Sequence, residues 1–295
     1  MTMNKTSITS GQRKQYLRFV EDAAEKALKE VGLDKDGLQK LIENGDEFQA
    51  RIIAGIRKLS VSNQFAFADE EVKSSYGYTA GYSPKKIGDQ IDILLTRWPT
   101  LNPDSAWKCA KSGLVIPQGA EAPFCIIRSD FFDNSYNVGV TEILAAIKAQ
   151  RKGKFHNCCK GKLGEQYLRQ HERTVKKLQV LGDQQKDYDI LVVPSQFGLC
   201  HRGRSVRRAR EVFTTNEFGL GAFEIGCMLL THPERLVSYD DLWIDCAGDE
   251  YALLGDGVFL LAPFFFFRGG RVRFDSRWIG DASSDCGSAS GFVEP

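Results

Sequence analysis

The stretch DILVVPSQFGLCHRGRSVRRAREVF, residues 189–213, changes character twice within twenty-five positions. DILVVP (189–194) is an unbroken apolar run rich in Ile and Val, the pattern of a strand covered on both faces. SQFGLCHRGR reads as a loop. Ser205 then stands where its hydroxyl can accept a free N–H of a first helical turn, and VRRAREVF follows as the helix. Strand, loop and helix in that order make the half-unit of an open α/β sheet. Ligands favour the loops at the carboxyl ends of such strands.

Outward from this unit the chain divides by texture. Upstream, Tyr16, Phe19, Ala23, Ala27 and Val31 recur at helical spacing, and Gly32 stops that helix. Leu38, Leu41, Ile42, Phe48, Ile52, Ile53 and Ile56 predict a second helical stretch broken at Asn44-Gly45. Residues 61–83 form a Gly/Tyr-rich connector, followed by a helix over 83–98 with Ser83 as cap and Pro84 in its first turn. A short strand is expected at 124–128 and helices around 139–150 and from Leu163 to Leu181. Downstream, residues 217–231 read as a helix, LWIDC (242–246) as a strand, and FFFFRGGRVRF (264–274) as a hairpin turning through Gly269-Gly270. The expected fold is α/β or α+β: a helical N-terminal unit (1–60), a connector and helix (61–98), and a mixed main domain (99–295). In that domain helices flank the buried strand 189–194, and the C-terminal end is β-rich.

Composition sets limits. The chain has 295 residues, 42% of them hydrophobic and 26% charged, with a formal net charge of +1. These are the proportions of a globular protein, not of a disordered or fibrous one. The longest apolar run, 258–267, contains Pro263 and is half the roughly 20 residues of a membrane span. The start of the sequence lacks a signal-peptide pattern, and eight scattered cysteines fit free thiols, so a soluble cytoplasmic protein without a membrane partner is expected.

Against that near-zero balance, HRGRSVRRAR (201–210) holds five arginines. Residues 151–177 add a second basic zone, with nine Lys/Arg against Glu165 and Glu172. Guanidinium groups match phosphate oxygens, and an extended basic patch suits a nucleic-acid backbone or another polyanion. The predicted binding surface is Arg202, Arg204, Arg207 and Arg208 with Lys152, Lys154, Lys160 and Lys162. The plainer alternative is internal pairing, because residues 236–267 contain six carboxylates and no Lys or Arg.

That acidic segment is a candidate in its own right. Asp241 and Asp245 share a strand face, and with Asp249 and Glu250 they could hold a divalent cation such as Mg²⁺ or Ca²⁺. A metal-dependent hydrolase of a phosphate-containing substrate is therefore the competing reading, with a protein–protein adaptor as the third. His156, Cys158, Cys159, Cys200 and His201 lack zinc-knuckle spacing, and a Cys200–His201 or Cys200–His171 nucleophile has no supporting motif. GLGAFEIG (219–226) is no dinucleotide loop, since it follows no expected strand. Its glycines read as sites of close helix packing.

Taken together, DILVVPSQFGLCHRGRSVRRAREV, NEFGLGAFEIGCMLLTHPERL, DLWIDCAGDEYA and GSASGF resemble a group of uncharacterised bacterial hypothetical proteins. The resemblance spans most of the chain from ENGDEFQARI onward. It implies a bacterial, cytoplasmic origin and no activity, cofactor or site residue.

Overall fold

The computed structural model describes residues 10–45, 70–79, 81–112, 114–133, 135–186 and 188–293. The chain forms two compact units, residues 1–66 and 67–295. The first contains α1 (Ser10–Val31) and α2 (Lys35–Glu43), separated at Gly32, whose φ of 63° ends the first helix. Asp34 Oδ1 accepts the Gly37 N–H (2.8 Å) and caps α2, which stops at the predicted Asn44. The expected continuation through Phe48 and Ile56 lies outside the described residues.

The second unit is α+β. Its helices are α3 (Ile87–Arg97), α4 (Asp104–Ser112), α5 (Tyr136–Gln150), α6 (Glu172–Gln184), α7 (Val206–Val212) and α8 (Ala222–Thr231). A first sheet has the order β1-β4-β11-β5, from β1 (Ala122–Ile127), β4 (Ile190–Gln196), β11 (Ser290–Phe292) and β5 (Glu217–Gly219). As expected, every residue of β4 is buried. Its neighbours β1 and β11 are both antiparallel, so burial on two faces comes from helices, with α3 and α8 packed against β1 and α4 and α6 against β4. The strand-loop-helix unit is present, with Ser205 as the cap, but its sheet is antiparallel rather than parallel.

Every residue of α8 is buried. Gly226 gives Ile143 of α5 its place, since a Cβ there would collide with it, and the glycine reading of GLGAFEIG is the packing one. The expected helix from Leu163 forms only from Glu172. Ahead of it lies β3 (Leu168–Gln170), drawn into strand form by antiparallel pairing with β7 (Asp249–Tyr251).

The second sheet runs β10-β6-β8-β9-β2, with β7 also on β8 and β3 on β7. Its members are β2 (Phe155–Asn157), β6 (Trp243–Asp245), β8 (Leu261–Arg268), β9 (Arg271–Trp278) and β10 (Cys286–Ser288). The β8–β9 hairpin turns at Gly269-Gly270, where φ values of 63° and 73° favour glycine. The chain passes from the second sheet to the first through Ala289, between β10 and β11. No described helix is long and apolar enough to cross a membrane.

Candidate functional site

Among the described residues, the ion pairs of the stretch's arginines run to Glu70, Glu71 and Glu211 rather than to 240–256. Ser205 Oγ accepts the Arg208 N–H (3.0 Å) and donates to Glu70 Oε2 (2.6 Å). Arg207 binds both oxygens of Glu70, with Nε at 3.1 Å from Oε2. Arg204 and Arg208 reach Glu71 at 3.2 and 3.5 Å, and Arg208 also reaches Glu211 at 3.4 Å. Burial pushes the Glu71 carboxyl up, but the guanidiniums of Arg204 and Arg208 outweigh it and hold the group below its ordinary value. Arg202 is exposed and donates to the Tyr76 carbonyl (3.0 Å). Toward the acidic segment, Arg210 donates to the carbonyls of Ala247 (2.9 Å) and Asp249 (2.5 Å), and Val206 and Ala209 pack with Ala247.

Beneath the arginines lies a buried polar chain. His201 Nε2 contacts Glu217 Oε1 at 2.6 Å, and Ser290 Oγ donates to the same oxygen at 2.6 Å. Arg204 Nη1 is 3.1 Å from His201 Nδ1. A guanidinium can only donate, so Nδ1 is the acceptor and Nε2 carries the hydrogen given to Glu217. Cys200 is exposed, and neither His201 nor His171 makes a hydrogen bond to its thiol among the described residues.

The lysine zone sits elsewhere. Arg202 bridges to Gly287 of β10, one edge of the second sheet, whereas Lys152 and Lys154 lead into β2, the opposite edge. Four strand spacings of about 4.8 Å separate these edges by roughly 19 Å. β2 pairs in parallel with β9, bringing His156 opposite Arg273, and the hairpin sets Arg268 opposite Arg271. Strand alternation puts His156, Arg268, Arg271 and Arg273 on one face. Lys152, Lys154, Lys160, Lys162, His156, Arg268 and Arg271 are exposed. No described carboxylate forms an ion pair with Lys152, Lys154, Lys160, Arg268 or Arg271. Lys162 donates to the Leu253 carbonyl (3.2 Å). The sequence reading missed Arg268, Arg271 and Arg273, because only the β2–β9 pairing brings a hairpin more than a hundred positions away to the lysines.

The four carboxylates of the divalent-cation reading occupy four different settings. Asp241 takes N–H groups from Thr79 (2.8 Å), Val237 and Ser238 (both 2.7 Å), and so fastens a loop. Asp245 is fully buried, 3.8 Å from Arg277. Asp249 accepts from Tyr136 Oη (2.6 Å) and from the first N–H of α8, that of Ala222 (2.7 Å). Glu250 pairs with Arg169 at 2.8 Å. Among the described residues, no three His, Cys, Asp or Glu side chains gather to hold a metal, and this covers His156, Cys158, Cys159, Cys200 and His201 as well.

One further site carries perturbed groups. Glu224, in the first turn of α8, accepts the Gly221 N–H (2.8 Å) and Gln170 Nε2 (3.1 Å). A side chain at Gly221 would collide with Glu224, Asp249 and Tyr136, so the two carboxylates crowd one backbone position. Burial, then the Asp249 charge, pushes Glu224 up to about 8. Burial pushes Asp249 up to about 7 even though Tyr136 and the Ala222 N–H oppose it. Glu224 and Gln170 line an open cavity of about 350 Å³ between β1, β4 and α6. The sequence did hold a signal: Glu224 is the one charged residue in the run Gly219–Thr231.

Searches against known protein families, curated proteins and solved structures return no match to this chain.

Proposed function

We propose that the chain binds the phosphate backbone of a nucleic acid along the β2–β9 face. One observation carries this reading: Lys152, Lys154, Arg268 and Arg271 are exposed and free of ion pairs to described carboxylates, while Arg204 and Arg208 are already paired with Glu71. Uncompensated surface cations release counterions from a phosphate backbone, whereas paired ones must first break an internal contact. The binding surface is therefore centred on the lysine zone and the hairpin, with Lys160 and Lys162 at its margin. A divalent-cation hydrolase draws no comparable support, because its four carboxylates stand apart.

Fluorescence anisotropy with labelled single-stranded RNA, single-stranded DNA and duplex DNA, titrated with salt, tests this. Lys152→Ala/Lys154→Ala/Arg271→Ala should lower the log–log salt slope by about 0.7–0.9 for each phosphate contact removed, with an unchanged melting curve. Arg204→Ala/Arg207→Ala/Arg208→Ala should instead lower the melting temperature. No binding at low salt defeats the reading. A slope lost only in the arginine variant moves the site to α7.

A further inference from the structure

The cavity at Glu224 has a chemistry distinct from the basic face. At about 350 Å³ it falls within the range of small-molecule sites. Its walls include Ile126, Leu178 and Leu191, which are apolar and suit a methylene chain. Its polar lining is rich in acceptors: the Glu224 carboxyl inside, and the exposed Asp130 and Asp183. Gln170 adds its Oε1, since its Nε2 is committed to Glu224. The single lining cation, Arg128, is committed too, to Asp130 at 3.1–3.3 Å and to the Gly182 carbonyl at 3.4 Å. Asp249 approaches the same backbone position as Glu224, at Gly221, and does not line the cavity. An ammonium offers three donors and a guanidinium five, with no acceptor to clash.

We infer that this cavity binds a small aliphatic amine or guanidine, its cationic head at Glu224 and Gln170 and its chain along Ile126 and Leu178. The site is independent of the phosphate-binding face. Burial and the Asp249 charge favour the protonated form of Glu224, and Asp249, Tyr136, Arg128, Asp130, Asp183, Cys227 and Cys246 are the ionisable groups about it. A bound cation favours the carboxylate, so binding should release a proton.

Isothermal titration calorimetry on the full chain at pH 7, in two buffers of different ionisation enthalpy, tests this with butylamine, putrescine and agmatine. Butanol and butyrate serve as neutral and anionic controls of matching length. The amines should bind with proton release and the controls should bind roughly tenfold more weakly or worse, as expected for loss of a charge-assisted hydrogen bond. Glu224→Gln, which mimics the protonated acid, should lose about tenfold in amine affinity and all proton release with no fall in its melting temperature. Should Glu224→Gln unfold, Asp183→Asn on the surface decides: weaker amine binding with an intact melting curve is expected. No heat from any amine at millimolar concentration overturns the proposal. So does equal binding of butanol or butyrate, or amine affinity unchanged in the variant that folds.

Discussion

Arg207 and Glu70 form a two-point charge contact, and the cap residue Ser205 donates to the same Glu70 carboxylate. Glu70 is 3% exposed, so its charge has these partners in place of water. Removing Glu70 takes away a carboxylate that both Ser205 and Arg207 use. Glu70→Ala should lower unfolding stability by about 3 kcal/mol, read by urea denaturation. The double variant Glu70→Ala/Arg207→Met should lose less than the two single losses added, because both single changes remove the same contact.

Glu224 and Asp249 make stability fall on the alkaline side. Both are raised in the folded protein, to about 8 and about 7, above their ordinary carboxyl values. The folded chain therefore holds protons that the unfolded chain has released. Their contribution is whole below the ordinary carboxyl range and is lost as pH rises through the folded values. Denaturation midpoints should drop between pH 5 and 8 by this account, and Glu224→Gln should flatten the drop. A midpoint equally steep in the variant would contradict it.

Glu217 works in the opposite direction. Burial raises its carboxyl, but the hydrogen bonds from His201 and the Ser290 hydroxyl outweigh it and hold the group below its ordinary value. The stability it adds is present above the ordinary carboxyl pKa and is lost as pH falls through the folded value. His201→Phe removes the main donor, leaving a buried carboxylate short of a partner. A loss of about 2–3 kcal/mol at pH 7 is expected, together with acid unfolding at a higher pH than native. Circular dichroism across an acid titration reads both.

Thiol reactivity should follow exposure. Cys158 and Cys200 are exposed, while Cys125, Cys159, Cys227, Cys246 and Cys286 are buried. Burial still pushes the Cys158 and Cys200 thiols up, so labelling should be slow at pH 7 and quicken above pH 9. Mass spectrometry after brief iodoacetamide treatment should find these two modified first, and the buried five only in denaturant.

The sequence disclosed local features better than partners. DILVVP could be read as a buried strand because its apolar run is continuous, and Ser205 as a cap because a capping hydroxyl acts within its own helix. Antiparallel pairing with β1 and β11 could not be read, since the covering helices produce the same apolar run as a parallel sheet. Leu163 to Gln170 has helical spacing, yet pairing with β7 wins three of its residues for β3. The arginines were visible as charge but their partner was not. Six acids at 240–256 looked the natural match, while Glu70 and Glu71, two adjacent acids far upstream, supply it. Glu224 was discounted with its glycine-rich neighbours, because only the fold shows a cavity beside it.

The place of β11 sets a timetable for synthesis. It lies between β4 and β5, yet it follows both in the chain, β5 by about 70 residues. At roughly 5–20 residues per second, β4 and β5 wait several seconds outside the ribosome before the strand that joins them exists. Through that interval the apolar edge of β4 has only β1 beside it. The first sheet is thus completed only by its last-made strand, and nascent chains stalled before residue 290 should be those that chaperones hold and proteases clear.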